Sequence, residues 1–166
     1  MSRVSQVQSR GFFAIGVEGA KTEHNIGTLW RSAQIFGASF IFTVGRRYKP
    51  QCSDTLKSYR HLPLIHFADL QALIDGLPYS TPLVGVELTD SAEPIRGFSH
   101  PHRACYLLGA EDHGLSANAL SQCHQTIKLP GRFSMNVAVA GSLVCYHRTE
   151  QAAKRKDMHL AFGATA

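Results

Sequence analysis

The sequence predicts an α/β fold, with a mainly parallel sheet flanked by helices, and three observations support this class. Short apolar runs alternate with stretches of helical periodicity, the order that builds a parallel sheet covered on both faces. The 166 residues are 44% hydrophobic and 17% charged, a globular composition. At this length one domain buries roughly two-thirds of its unfolded surface. We expect a single domain over residues 1–166, with its core at about 11–150 and flexible termini.

Apolar runs of strand length predict the sheet. The first, "GFFAIGVEG", has the near-continuous hydrophobicity of a strand buried on both faces. The others follow the same pattern and are bounded by Gly, Pro or polar residues. The predicted strands cover residues 11–19, 39–45, 62–67, 82–88, 103–109 and 125–129.

Helices are predicted between these strands. The segment "NIGTLWRSAQIFG" places an apolar stripe at helical spacing, with Asn25 as the expected cap and Gly37 as the expected stop. Ser116 is the expected cap of a short later helix. The remaining predicted helices cover residues 69–77, 116–123 and about 136–156.

Ligands of open parallel sheets bind beyond the carboxyl ends of the strands, and the first loop of interest there feeds "HNIGTLWR". Gly27 and Arg31 are four residues apart on one helix face, and helical side chains lean toward the N-terminus. Arg31 is therefore expected to point back toward Asn25, where a phosphate or ribose could dock. A surface arginine beside a tightly packed glycine is the alternative.

Two further loops have the same position relative to strands. In "LLGAEDHGLS", Gly109 and Gly114 allow positive φ or close ligand approach, and Glu111 can accept a hydrogen bond; an ordinary glycine-rich turn is the alternative. In "LPGRFSMN", Ser134 and Asn136 begin a helix of small residues, which would suit either a bound molecule or a helix–helix contact. Glu87 ends a strand, but without glycines upstream we assign it no role.

The charge of the chain indicates which class of partner it meets. The formal net charge of +5 is typical of a chain that meets phosphate backbones. We expect one group of basic residues to contact RNA: Arg46, Arg47, Lys49, Lys57 and Arg60. The alternative is that these residues only form a solvated basic face. A second basic run on the terminal helix is expected to be solvated: Arg148, Lys154, Arg155 and Lys156.

Other classes are excluded by missing patterns. The four cysteines lie far apart with no C-x-x-C pair, so we expect reduced thiols and no metal site. No membrane span, phosphate-loop motif, dinucleotide fingerprint or esterase elbow occurs. The opening residues do not resemble a signal peptide, which makes the cytoplasm the expected location.

Together and in this order, the three loops resemble the signature motifs of the SPOUT superfamily of methyltransferases, in particular its SpoU/TrmH branch. The likeness extends from about Gly11 to about Arg148. The first motif matches Asn25, Gly27 and Arg31; the second matches Gly109, Glu111, Gly114 and Leu115; the third matches Pro130, Ser134, Asn136, Val137 and Ala138.

The resemblance implies methyl transfer from S-adenosylmethionine to a ribose 2′-hydroxyl of transfer or ribosomal RNA. It implies a deep trefoil knot at the C-terminal side and a homodimer whose site draws on both chains. The implied catalytic residues are Arg31, Asn25, Glu111, Ser134 and Asn136. The implied cofactor-binding residues are Leu88, Gly109, Leu129, Ser134, Val137 and Ala138.

Two features qualify the resemblance. The third loop is short and the chain carries no terminal extension, which leaves the RNA target open, with the anticodon loop of transfer RNA favoured.

A guanidinium keeps its proton below pH of about 12, so we expect Arg31 to act as an electrostatic partner rather than a base. A non-catalytic RNA-binding relative and an unrelated nucleotide-binding domain are the alternatives.

Overall fold

A computed structural model describes residues 12–19, 21–49, 57–78 and 81–162, with side chains as far as residue 154. Its strands form one sheet in the order β3-β2-β1-β6-β4-β7-β5, and each pairing between them is parallel. The predicted α/β class with a mainly parallel sheet is confirmed. The strands are β1 (Phe12–Glu18), β2 (Phe40–Val44), β3 (Leu64–Phe67), β4 (Leu83–Val86), β5 (Glu93–Pro94), β6 (Arg103–Leu108) and β7 (Gln125–Lys128).

The predicted strands all form, and the structure adds β5 at the edge of the sheet. This strand has two residues, both exposed, and pairs with the end of β7. A segment that short has no apolar run, so its pairing depends on the neighbouring strand and not on its own sequence. Of the termini predicted to be flexible, residues 1–11 and 163–166 lie outside the described residues, whereas residues 151–162 continue the last helix.

Among the described residues, α1 (Glu23–Ile35), α2 (Leu70–Gly76) and α3 (Ala117–Gln122) connect strands, and α4 (Val137–Phe162) follows the last strand. The first begins two residues before the predicted start, with Thr22 at the N-cap position, so the prediction that Asn25 caps it is wrong. Asn25 lies in the first turn, and its amide bonds to other loops instead. Gly37 follows the helix with a φ of 78°, which confirms the predicted stop.

Helices cover both faces of the sheet, as predicted. On one face α1 and α4 pack on β1 and β6, around buried residues such as Ile15, Leu29 and Val144. On the other face α2 and α3 cover a second apolar cluster that includes Phe42 and Leu107. Because both faces are buried, the central strands read as continuous apolar runs.

The small residues of α4 divide between two purposes. A Cβ on Gly141 would overlap Cδ1 of Leu29, so this glycine lets α4 approach α1. Beside it, the Ser142 hydroxyl donates to Oγ of Ser32 over 2.7 Å. Ala140, in contrast, lines a cavity described below. The predicted helix–helix contact therefore occurs at Gly141 and Ser142, while Ala140 leaves space at the cavity where a ligand could pack.

Arg148 corrects another prediction. It was expected on a solvated basic face, but only 6% of it is exposed. Its guanidinium donates to the carbonyl oxygens of Pro101 at 2.6 Å and His102 at 2.8 Å, and to the hydroxyl of Tyr106 at 3.2 Å. A long side chain that reaches several carbonyls can be buried with its charge because both terminal nitrogens of its guanidinium find hydrogen-bond partners.

The cysteines are free where the structure describes them, which confirms reduced thiols at Cys105, Cys123 and Cys145; Cys52 lies outside the described residues. Burial raises the pKa of Cys145 to about 12 and that of Cys123 to about 11, so both thiols remain protonated at neutral pH. Within the described ranges, no helix is long and apolar enough to cross a bilayer. No cluster of three or more potential metal ligands occurs in those ranges either.

Candidate active site

A cavity of about 490 Å³ opens beyond the carboxyl ends of β4, β6 and β7. Its walls come from residues 86–88, 108–114 and parts of 129–140, so the second and third predicted loops face each other across it. This position is where open parallel sheets bind ligands. The convergence of these two loops is what the sequence predicted.

The second loop is a tight turn that only glycines permit at two positions. Gly114 has a φ of 68° and exchanges backbone hydrogen bonds with Ala110 at 3.1 and 2.9 Å. A Cβ on Gly109 would overlap the backbone of Gly114 and Leu115. The turn therefore folds back directly onto the end of β6 and exposes backbone to the cavity.

Two carboxylates at strand ends hold this turn. Glu87, directly after β4, accepts the N–H of Leu115 at 2.7 Å through one oxygen and the N–H of Leu88 at 2.9 Å through the other. Glu18, at the end of β1, accepts the N–H and the hydroxyl of Ser116 at 2.9 and 2.8 Å. Sequence reasoning gave neither residue a role, because the strands they end are brought to this loop only by the fold.

A chain of amide hydrogen bonds joins the three loops. The Asn25 amide donates to the Glu111 carboxylate at 2.6 Å, and its oxygen accepts from the Asn136 amide at 3.0 Å. The backbone N–H of Lys21 donates to the other oxygen of Glu111 at 3.1 Å. Residues of the first, second and third motifs are thus directly connected.

The environment of Glu111 favours its charged form. Partial burial raises the pKa of this carboxyl, but the hydrogen bonds from Asn25 and from backbone N–H groups lower it by more, so the net pKa lies below the ordinary value of 4.5. The carboxylate is therefore ionised at neutral pH. It can fix the Asn25 amide in a single orientation.

Asn136 connects this chain of amides to α4. Its side-chain oxygen accepts the N–H of Ala138 at 2.9 Å and the N–H of Val139 at 3.3 Å, which makes it the N-cap of the helix. The same amide donates to Asn25. The start of α4 is consequently held at a fixed position relative to α1.

The structure separates the predicted site residues into three groups. Those that line the cavity are Leu88, Gly109, Glu111, Leu129, Ser134 and Val137. Asn25 and Asn136 are not lining residues but bond to Glu111 or to each other. Ala138 is 1% exposed and packs in the core, and Arg31 is exposed on α1 and is not among the lining residues.

The predicted RNA-binding residues are all exposed: Arg46, Arg47, Lys49, Lys57 and Arg60. Arg46 is connected to the site, since it donates to the carbonyl of Lys21 at 3.4 Å, and the N–H of Lys21 donates to Glu111. Its guanidinium also stacks on Tyr48, 5.6 Å from the ring centre. Burial raises the pKa of Tyr48, Arg46 lowers it and Glu111 raises it again, which indicates that the basic loop adjoins the second motif.

The lining residues that the sequence left unassigned include three of the third loop: Arg132, Phe133 and Met135. They belong to the third loop, and Phe133 is 83% exposed although it is a large aromatic residue. The signal available was the pair of residues "RF" just before Ser134, a cation and an aromatic ring in a loop already singled out. Their exposure is decided by the path of the loop.

The fold and cavity define an α/β protein with a cavity of small-ligand size at the carboxyl ends of its strands. The model of the SpoU rRNA Methylase family matches residues 13–146, and the chain belongs to that family. The match includes every residue of the amide chain described above.

Individual relatives agree with this assignment. The chain is 29% identical over 141 residues to mouse tRNA (guanosine(18)-2′-O)-methyltransferase TARBP1, covering 76% of this chain and 9% of that protein. It is 26% identical over 150 residues to a putative TrmH family tRNA/rRNA methyltransferase of Staphylococcus haemolyticus, covering 86% of this chain and 60% of that protein. The chain thus spans about three-fifths of the staphylococcal relative.

A solved structure shares the fold. The SpoU methyltransferase AviRb from Streptomyces viridochromogenes, crystallised with AdoMet, superposes with a TM-score of 0.77 at 23% identity. The superposition covers 87% of this chain and 62% of that one. At this identity the likeness concerns the arrangement of strands and helices.

Proposed function

We propose that this protein is an S-adenosylmethionine-dependent methyltransferase that modifies a ribose 2′-hydroxyl of RNA, with transfer RNA favoured over ribosomal RNA. The observation that carries the proposal is the hydrogen-bonded chain Glu111–Asn25–Asn136, which joins all three motifs beside one cavity. The name of the mouse relative, a tRNA 2′-O-methyltransferase, supports the same reaction. A protein with this activity is expected where RNA is processed, and we place it in the cytoplasm.

The cavity fits the proposed cofactor. Its volume of about 490 Å³ lies within the usual range for small-ligand sites, about 300–1,000 Å³. Two lining carboxylates, Glu87 and Glu111, suit a cation. Apolar lining residues suit an adenine ring: Leu88, Leu108, Leu129 and Val137. Bound there, S-adenosylmethionine would supply an activated methyl group.

The roles of the polar residues follow from their contacts. Glu111 orients the Asn25 amide, which in turn orients Asn136 at the start of α4. Ser134 lines the cavity close to Asn136 in the chain and can bond to the ribose or the cofactor. Such fixed positioning of reactants can supply about 7–11 kcal/mol of the barrier reduction.

Arg31 is proposed to act on the cavity of a second copy. It is exposed on α1 and lies four residues before Ile35, which is 59% exposed, so the two side chains share a helix face. As a permanent cation with five donors, Arg31 can stabilise a developing alkoxide or grip a neighbouring phosphate. Its contribution is electrostatic because it keeps its proton.

A homodimer is proposed on the apolar surface that surrounds this arginine. On α4, Val139, Leu143 and Tyr146 are 50%, 39% and 52% exposed and lie at helical spacing on one side. The ring of Phe36, just after α1, lies 6.2 Å from that of Tyr146, so α1 and α4 form one continuous surface. Contiguous exposed apolar residues of this kind mark association sites.

We also propose the deep trefoil knot that the resemblance implies. The strand order β6-β4-β7-β5 is compatible with it, because the connections that join β4 to β5, β5 to β6 and β6 to β7 span overlapping parts of the sheet. The loop after β6, which contains Gly109 and Glu111, would then surround the segment that leads into α4.

The RNA backbone is proposed to run across the exposed basic loop that begins at Arg46 and Arg47 and to continue toward Lys57 and Arg60. Arg46 is held near the site through its bond to the Lys21 carbonyl. Lysine and arginine side chains that neutralise phosphates supply affinity without sequence preference. The target nucleotide would therefore be chosen near the cavity.

The deciding experiment supplies purified protein with a methyl-labelled cofactor and either bulk transfer RNA or ribosomal RNA. We expect label in a ribose 2′-O-methyl group of transfer RNA. The Arg31→Lys variant should lose activity by about 100-fold or more, because a point charge replaces the fork, while cofactor affinity measured by calorimetry changes less than about twofold.

Arg96→Lys, an exposed arginine outside the site, is the matched control and should retain full activity. Normal methylation by the Arg31→Lys variant would show that the guanidinium fork is not required. Absence of label from every RNA, with RNA binding intact, would favour a non-catalytic RNA-binding relative.

A further inference from the structure

The cavity must admit a cationic cofactor and release a neutral product. Resting on the function proposed above, we infer that Glu87 makes the cavity select S-adenosylmethionine over S-adenosylhomocysteine. The two ligands differ at their sulfur, which is a positively charged sulfonium in the first and a neutral thioether in the second. The first also carries one more methyl group, but a carboxylate distinguishes the two ligands mainly through the charge on sulfur.

Glu87 presents a fixed negative charge in the cavity wall. Glu87 is among the residues that line the cavity, and its two carboxylate oxygens accept the N–H groups of Leu115 and Leu88 at 2.7 and 2.9 Å. A Cβ on Gly114 would overlap the carboxylate, so the glycine allows this close packing. The donors are neutral backbone amides, which orient the carboxylate without cancelling its charge.

The other acids at the cavity are differently placed. Asp112 forms an ion pair with Lys21 and lies 2.6 Å from Nδ1 of His113. Glu111 is bonded to Asn25 and belongs to the proposed catalytic group. Among the three lining carboxylates, Glu87 is therefore the one that accepts hydrogen bonds from backbone N–H groups alone. Its substitution does not remove a member of the amide chain Glu111–Asn25–Asn136.

Opposite charges inside a cavity interact strongly. With an effective dielectric constant of about 20, a carboxylate several ångströms from a cation changes an equilibrium by roughly tenfold or more. The same carboxylate has little effect on a thioether in that position. Glu87 should thus strengthen binding of the methyl donor and leave the demethylated product to dissociate.

Glu18 provides a matched control. It braces the same loop from the end of β1, where it accepts the N–H and hydroxyl of Ser116 at 2.9 and 2.8 Å. Unlike Glu87, it is not among the residues that line the cavity. Glu18→Gln removes one charge from the loop support without removing it from the cavity wall.

The test is equilibrium calorimetry with the full chain, using S-adenosylmethionine and S-adenosylhomocysteine separately. In Glu87→Gln we expect affinity for the sulfonium ligand to fall about five- to twentyfold and affinity for the thioether to change less than about twofold. The glutamine can still accept the Leu115 N–H, and a thermal melt verifies the fold. Glu18→Gln should leave the ratio of the two affinities unchanged.

Salt provides a second measurement on the wild-type protein. Raising ionic strength should weaken sulfonium binding more than thioether binding, because only the former depends on the charge. Equal losses of both ligands in Glu87→Gln, or an unchanged ratio, would show that Glu87 only braces the loop. A wild-type protein that binds neither ligand would overturn the proposed function itself.

Discussion

The two ends of the central strand pair β1 and β6 both carry hydrogen-bonded clusters of polar side chains, but the clusters differ in burial. At the amino end Arg148 and Tyr106 are 6% and 0% exposed. At the carboxyl end Glu111 and Ser134 face an open cavity. The same sheet therefore supports one polar cluster that is sealed and one that is accessible.

The members of the amino-end cluster bond to one another. Arginine can only donate, so the Tyr106 oxygen accepts from Arg148 at 3.2 Å, and Nδ1 of His100 lies 2.6 Å from the same oxygen. Nε2 of His100 in turn lies 2.8 Å from Nδ1 of His147. These bonds tie α4 to the chain that enters β6.

The difference in burial predicts that the amino-end cluster contributes to stability and the carboxyl-end cluster to ligand binding. A sealed polar group that loses its partner bears the full desolvation cost, so substitutions at the amino end should lower the free energy of unfolding. An accessible group can turn to water, so substitutions at the carboxyl end should mainly affect ligands. The following predictions test this division, from the largest expected effect to the smallest.

Arg148→Met should reduce the free energy of unfolding by about 3 kcal/mol or more, measured by urea denaturation. The methionine fills similar space, but the carbonyl oxygens of Pro101 and His102 lose their donor. The remaining folded protein should bind cofactor normally, because the cavity lies at the opposite end of the sheet.

Lys154→Met, an exposed position on the same helix, is the control and should change stability by less than about 0.5 kcal/mol. Equal effects of the two substitutions would mean that the buried bonds of Arg148 contribute nothing to stability.

Tyr106→Phe should cost about 1–2 kcal/mol at pH 7, since the hydroxyl joins Arg148 to His100. Burial raises the pKa of Tyr106 to about 12, from 10.0. A raised pKa gives stability that is complete below pH 10 and is lost as pH rises toward 12, by up to about 2–3 kcal/mol. The variant has no hydroxyl to titrate and lacks this loss. The difference in free energy of unfolding between the variant and the wild type should therefore shrink as pH rises above 10.

Urea denaturation at several pH values between 7 and about 11.5 measures this difference. The control is Tyr146→Phe, which removes the hydroxyl of a tyrosine that is 52% exposed and should keep the wild-type slope. If the free energies of unfolding of Tyr106→Phe and the wild type depended on pH in the same way, the raised pKa of Tyr106 would not contribute to stability.

Glu111→Gln should have the smallest effect on stability, below about 1 kcal/mol at pH 7, because the carboxyl is only partly buried. Its lowered pKa gives stability that is present above pH 4.5 and is lost as pH falls through the lower folded value. The variant should therefore show a flatter acid limb in denaturation curves. A steeper acid limb would contradict the direction of this pKa shift.

Local pattern alone predicted much of the fold. The apolar runs located every strand long enough to have one, Gly37 marked the end of α1, and Ser116 caps α3 by accepting the Ala119 N–H at 3.0 Å. These features depend on neighbours a few residues away, which the sequence displays directly. The two loops that face each other across the cavity followed from the rule for parallel strands.

The roles of Asn25, Glu87 and Arg148 required the tertiary structure. Asn25 bonds to Glu111 across 86 positions and to Asn136 across 111, and Arg148 reaches the Phe12 carbonyl across 136. Such partners depend on which strands are adjacent, and β4 lies between β6 and β7 in an order that no periodicity reveals. Sequence by itself determined the elements and the residue types of the site, whereas packing decided which polar groups were sealed and which stayed open, because desolvation depends on neighbours distant in the chain.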